Sequence, residues 1–398
     1  MEQVVAGPPG SQDRVQSSEL LSPKPNQSAE NQGRAASARK YSRTKMWLGV
    51  ASAVLFFALT LAFVLSGLSK DLDEHIRRLV SNDYMALLSF ALMIGVAETI
   101  LTAPLSFYSG YYLEHKYHLS NQSFTGWIKE GLKSMIVSVP LALPILLFFF
   151  YCLKTFGALW WLPVSAILFL LTVVLARLAP VLILPIFYKF VPLGEGIMKD
   201  KILSLCSRVG IRVEGIFTFN LSKNTKKANA AFTGIGRSKR IILGDTLVQN
   251  FTDEEVETVF AHELGHYKMK HVWVMMAIGT LNSFLGLFLT AQLYALSFSW
   301  LGFERPDQIG ALPILTVWLG LYSLVSSPLR NHISRSNEYA ADRYAVQTTA
   351  NKEAFVNALT KLARINLAET SPPAIAEFFF HSHPSIEKRI RAIEATEG

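Results

Sequence analysis

The segment His262-Glu-Leu-Gly-His266 carries the clearest chemistry in the chain. Two histidines four residues apart share one face of a helix, one turn from each other, so both imidazoles can reach a single metal ion. Glu263 is offset from that pair, close enough to touch a metal-held water without ligating the metal. This is the zincin arrangement of two His ligands, a water and a glutamate as general base. Such a zinc needs a third protein ligand. The HExxHxxGxxH pattern, which supplies a third His, is excluded because Met269 and Val272 stand where Gly and His are required. His271 falls one residue off that pattern and reads as a surface or interface histidine. The other option is a glutamate from a later helix, and Asn337-Glu-Tyr-Ala-Ala-Asp342 offers one. Glu338 and Asp342 lie a turn apart there, Glu338 available to the metal and Asp342 to orienting a ligand or an arginine. On spacing alone, Glu338 also fits a solvated helix charge.

The elements that must position these groups are legible around them. Thr252-Asp-Glu-Glu255 is a capping box, so a helix starts there and runs through HELGH to about His271. Upstream, residues 197–209 read as a helix. Gly215–Phe219, Ala228–Phe232 and Arg240–Leu243 read as short strands between Ser, Asn, Lys and Gly turns. Residues 191–271 thus form a small mixed unit. Downstream, two apolar runs at about 272–303 and 309–327 form an up-and-down pair that returns the chain to the neighbourhood of HELGH.

Those runs belong to a larger set. In 398 residues, apolar types make up 51% and charged types 17%, and the mean hydropathy is positive, as in a membrane protein. A spanning helix needs about 20 apolar residues. Runs of that order occupy Met46–Ser69, about 84–108, 134–153, 157–176 and the two named above, six in all. A shorter piece at 178–190, broken by Pro180 and Pro185, is a seventh candidate. Glu98 lies inside the second run, where an ionisable side chain either faces a polar interior or sits near an interface or in a structural pair.

Residues 1–45, rich in Ser, Gln, Pro, Gly and Ala, read as a disordered polar tail and not as a signal peptide. The chain then divides into spans at 46–190, a first catalytic part at 191–271, a hairpin of spans at 272–328 and a second catalytic part at 329–398. The net charge of +8 gathers beside the spans, as the positive-inside rule requires, with no nucleic-acid-binding motif. Arg39, Lys40, Arg43 and Lys45 put the N terminus in the cytoplasm. If the 178–190 piece does not cross, four crossings put 191–271 on the same side, which its Lys199, Lys201, Arg212, Lys223, Lys226, Lys227, Arg237 and Lys239 favour; if it crosses, the sidedness inverts. Cys152 and Cys206 read as two free thiols.

In order, Ala228–Leu247 (ANAAFTGIGRSKRIILGDTL), HELGH, NEYAAD and His381–Ser385 (HSHPS) resemble the Ste24-type CaaX prenyl protease family of integral-membrane zinc metallopeptidases. The resemblance covers about 46–395. It implies a mainly α membrane fold, a ring of about seven transmembrane helices around a chamber, with a small α+β zincin-type catalytic domain. It implies one Zn²⁺ per chain on His262, His266 and Glu338, with Glu263 as base. It further implies Asn229 as a substrate contact near the scissile bond, His383 as a stabiliser of the oxyanion, and Asp342 and Arg389 as supporting ion-pair partners. Without the resemblance, Asn229 fits a turn cap and His383 a structural loop, although Ala228–Phe232 could add an extended substrate as a strand. The expected activity is hydrolysis near the C terminus of CaaX-type peptides, prenylated or not, in the bacterial inner membrane or the endoplasmic reticulum. The alternative is quality-control cleavage of membrane proteins, independent of prenylation. Peptide substrate and bilayer are the expected partners, and nucleic acid is not.

Overall fold

The computed structural model describes residues 25–211, 213–234 and 240–396. Residues 1–24, Arg212 and 235–239, which fall within the tail, the basic region and the ANAAF string, lie outside the described residues. The described part is built on six helices long and apolar enough to span a membrane, matching the six apolar runs. In chain order the helices and strands of the first half are α1 (Pro25–Leu65), the short α2 (Leu68–Leu79), α3 (Asp83–Phe107), α4 (Phe124–Phe156) and α5 (Trp161–Leu178). Next come β1 (Phe190–Pro192), α6 (Ile197–Arg208), β2 (Gly215–Phe219), β3 (Ala230–Thr233) and β4 (Arg240–Gly244). The rest is helical: α7 (Asp245–Asn250), α8 (Asp253–Lys268), α9 (His271–Ser297), α10 (Leu312–Thr349), α11 (Lys352–Asn366), α12 (Ala374–Phe380) and α13 (Ile386–Ala395).

Three expectations are corrected here. The tail is helical from Pro25, because α1 begins well before the apolar run. Packing explains why its polar end is ordered: the Ser42 hydroxyl donates to the Leu367 carbonyl and Arg43 pairs with Glu369. The 178–190 piece is no separate span. α5 runs on through a π turn at Ala179–Ile183 and a last helical turn at Leu184–Phe187 as one span, Trp161–Phe187, so Pro180 and Pro185 perturb it without reversing the chain. The 328/329 boundary also falls inside α10, which crosses the membrane and continues past Pro328 into the catalytic unit.

Large apolar side chains on these helices, such as Leu92, Ile136, Leu281 and Val325, point outward, as lipid-facing residues do. Four crossings precede β1, so the catalytic unit and the N-terminal end of α1 share one side of the bundle. Between the helices lies a mostly apolar cavity of about 1010 Å³, lined by residues including Phe63, Ile94, Glu98, Leu146 and Leu319. Glu98 therefore faces the cavity.

On the opposite side α2 seals the bundle. Asp73 accepts from the Gly310 backbone N–H at 3.0 Å and pairs with Arg77 at 2.9 Å. A Cβ on Gly310 would sit 2.6 Å from the Ser69 carbonyl oxygen, so only glycine allows this approach. Gly310→Ala is expected to cost about 1–3 kcal/mol by overpacking, read as a lower thermal unfolding midpoint. An unchanged midpoint would show that α2 is not held as described.

The catalytic unit carries a four-stranded sheet of order β1-β2-β4-β3, parallel between β2 and β4 and antiparallel elsewhere. β3 pairs only with β4, leaving its other edge unpaired among the described residues. One face packs on α6, α8, the end of α10, α11 and α13 around Leu205, Leu243, Phe260, Val346, Phe355 and Ile393. Cys206 is buried in that core, which pushes its thiol up to about 11, and both cysteines are free.

Candidate metal centre

The capping box forms as expected. Thr252 Oγ1 accepts from the Glu255 backbone N–H at 3.3 Å, and Glu255 Oε2 accepts from the Thr252 N–H at 2.8 Å. Lys361 also donates to that carboxylate, fixing the start of α8 against α11. Two turns later α8 presents His262 and His266 on one face, their Nε2 atoms 3.1 Å apart. Gly265, between them, lets α8 lie close on α10, since a Cβ there would meet the Ala341 Cα at 3.2 Å. That approach brings Glu338 in, its Oε1 3.3 Å from His266 Nε2 and its Oε2 3.5 Å from His262 Nε2.

Donor atoms of His262, His266 and Glu338 all lie within 4.8 Å of one another. Glu338 Oε2 is buried with no hydrogen-bond partner among the described residues. That oxygen lies 3.5 Å from His262 Nε2 and 3.5 Å from the Arg389 guanidinium, and a bound cation would give it the close partner that a buried carboxylate oxygen needs. Two nitrogens and one carboxylate, with a fourth position left open, suit zinc in a catalytic site.

Around this trio the structure brings together most of the remaining expected residues. Asp342 Oδ1 lies 2.8 Å from His262 Nδ1, and Arg389 grips Asp342 with two hydrogen bonds of 2.8 and 2.6 Å. Arg389 also reaches Glu338 at 3.5 Å. Burial draws the His262 imidazole down, but the Asp342 and Glu338 carboxylates outweigh it and push it up to about 9. The Arg389 guanidinium, also opposed by burial, is raised by Asp342. His383 is largely exposed, with Nε2 3.4 Å from Glu338 Oε1. Glu263, His266, Asn337 and Phe232 line a cavity of about 280 Å³ beside the trio.

Asn229 is exposed just before β3, where its carbonyl accepts from Gly244 N–H at 2.8 Å. β3 reaches the cavity through Phe232 instead.

Two contacts escaped the sequence reading. His271, read as a surface or interface residue, is buried with its Nδ1 3.0 Å from His266 Nδ1. α8 ends at Lys268 and Lys270 adopts the left-handed conformation, φ 59°, so α9 turns His271 back onto His266. No residue type at Lys270 signals such a break. The second is Arg335, which donates to the carbonyls of Glu377 and His381 at 2.9 and 2.7 Å and so anchors the loop carrying His383. Its position three residues before Glu338, on the same helix face, is the signal that could have found it.

A largely buried His-His-Glu trio on a helix pair, at the foot of a six-span bundle, defines a membrane metallopeptidase. The chain belongs to peptidase family M48: residues 192–397 match that family and residues 13–189 match the CAAX prenyl protease N-terminal region, described as five membrane helices. It is similar to the uncharacterized metalloprotease YhfN of Bacillus subtilis, 32% identical over 91% of this chain and 86% of that one. It is likewise similar to CAAX prenyl protease 1 of Saccharomyces cerevisiae, 31% identical over 77% of this chain and 72% of the yeast protein. The crystal structure of S. mikatae Ste24p superposes with a TM-score of 0.82 at 29% identity, over 91% of this chain and 89% of that one. The family acts through a metal, typically zinc, on peptide substrates. The match to the N-terminal region starts at residue 13, which agrees with α1 beginning ahead of its apolar run.

Proposed function

We propose that this chain is a zinc endopeptidase that cleaves CaaX-type peptides near their C terminus, with the catalytic unit in the cytoplasm. The convergence of His262, His266 and Glu338 beside a cavity lined by Glu263 carries the reading. One zinc ion on those three ligands would supply Lewis acidity to the scissile carbonyl and to the attacking water. Glu263 takes the proton of that water and returns it to the leaving amine. His383, exposed and on a loop fixed by Arg335, donates to the oxygen that gains charge. Phe232 on the unpaired edge of β3 borders the cavity, so a substrate added to that edge passes the site, with Asn229 at the strand's start to hold it.

The supporting residues set tautomers. Asp342 accepts from His262 Nδ1–H, which leaves the Nε2 lone pair for the metal, and Arg389 holds Asp342 in place. His271 does the same for His266 by accepting from its Nδ1–H. His271→Ala is expected to weaken zinc binding about 10–100-fold in chelator competition, with His271→Gln losing less. Equal affinity in all three proteins would remove His271 from this role.

The mostly apolar cavity of about 1010 Å³ among the spans gives a prenyl chain somewhere to go. The test is cleavage of a farnesylated CaaX peptide against an unlipidated membrane protein, both reconstituted with the full chain. Cleavage of the farnesylated peptide is expected. Cleavage of the membrane protein alone would sink the prenyl reading in favour of quality-control proteolysis.

A further inference from the structure

A second concavity lies away from the metal centre, where the start of α1 and the end of the α3 span meet the catalytic unit. It encloses about 950 Å³ and is lined by Arg34, Lys40, Lys116, His118, Lys226 and Arg364, with no carboxylate among its lining residues. These groups come from four separate stretches of chain, so they are not one helix's solvated face. Nearby cations behave differently: Lys45 and Lys227 both pair with Glu114. Arg34, Lys40, Lys116, Lys226 and Arg364 have no acidic partner among the described residues, and Lys116 rests over the Tyr112 ring at 6.0 Å.

The floor of this concavity is rigid. Lys226 N–H donates to the Leu119 carbonyl at 2.9 Å, Asn121 N–H to Asn224 at 3.1 Å, and Asn121 Nδ2 to the Ser222 carbonyl at 2.8 Å. The loops at 117–122 and 222–227 are thereby stitched together, including a bridge between Ser120 and Thr225. Collecting unpaired cations in a preformed hollow is electrostatically unfavourable unless an anion joins them. The level is also informative. Lys116 closes the α3 span, and Lys40 stands just ahead of the α1 apolar run, so the hollow opens at the polar edge of the bilayer.

We propose that this hollow binds the phosphate-bearing headgroup of an anionic phospholipid, tying the catalytic unit to the membrane surface. Basic pockets among transmembrane helix ends bind such headgroups, and each nearby Lys or Arg strengthens binding roughly fivefold. Chelation by several side chains at once selects an anionic lipid over a zwitterionic one. The volume exceeds what a bare phosphate fills, which favours a lipid headgroup over a free ion.

The experiment is native mass spectrometry of the full chain, titrated separately with phosphatidylglycerol, phosphatidylcholine and inorganic phosphate. Phosphatidylglycerol is expected to be retained, the other two not. In Lys40→Gln/Lys116→Gln/Lys226→Gln its affinity should fall on the order of a hundredfold, three cations each contributing about fivefold. The comparison protein Lys129→Gln/Lys189→Gln/Lys352→Gln loses equal charge outside the hollow and should bind as the unaltered chain does. Equal retention of the two lipids, or equal losses in the two triple variants, would overturn the proposal. So would inorganic phosphate occupying the site with the same side-chain dependence while lipid does not. All six substitutions are at lysines without buried partners, and circular dichroism of both variants confirms folding.

Discussion

Glu263→Gln leaves the zinc in place and lowers turnover by about 10²–10⁴-fold, the range that removing a general base produces. The amide keeps the size of the side chain but cannot take a proton from water. Glu263 is not one of the three converging donors, so the metal content stays as in the unaltered protein. The ratio of the two readouts is therefore diagnostic. If zinc and activity fell together, Glu263 would be holding the site rather than acting in it. Unchanged peptide cleavage would remove the mechanism altogether. KM for the peptide should move little, because the base contributes in the transition state and not to ground-state binding.

The second large effect is on stability. Arg389 is buried and compensates two buried carboxylates, Asp342 through a bidentate contact and Glu338 at 3.5 Å. Breaking a buried ion pair by removing one partner costs about 3–5 kcal/mol, because the other charge is left uncompensated. Arg389→Ala should therefore unfold at a markedly lower temperature, and the loss should shrink when zinc is added, since the metal replaces part of the missing positive charge. Arg389→Lys keeps the charge but not the planar fork, and should fall between the two. A stability unchanged by Arg389→Ala, measured without metal, would show that Asp342 and Glu338 do not depend on it. α13 would then not be fastened to α10 through this contact.

Much of this arrangement could be read before any coordinates. HELGH is specified by residue type and spacing, Glu338 by the topology and the family resemblance together, and the capping box at Thr252 set where α8 begins. β2 lies where it was expected, over Gly215–Phe219, and the six apolar runs became six helices. What was not legible depended on backbone breaks and long-range packing. The left-handed Lys270 redirects His271 onto His266, although nothing in the local pattern marks that lysine. The prolines at 180 and 185 suggested a broken or separate segment, yet a π turn absorbs one of them inside a continuous rod. The polar start of α1 looked unable to fold because its partners, Leu367 and Glu369, lie more than 300 residues away. Asn229 was expected near the scissile bond, and its exposed place before β3 leaves that role resting on a substrate strand docked alongside.

The most direct test of the central claim is zinc content combined with anomalous scattering at the zinc edge. One zinc per chain is expected, at about 2.0–2.1 Å from Nε2 of His262 and His266 and at a similar distance from a Glu338 oxygen. The same peak should vanish in His262→Ala/Glu338→Ala. A peak elsewhere, or a full complement of zinc in that double variant, would contradict the account.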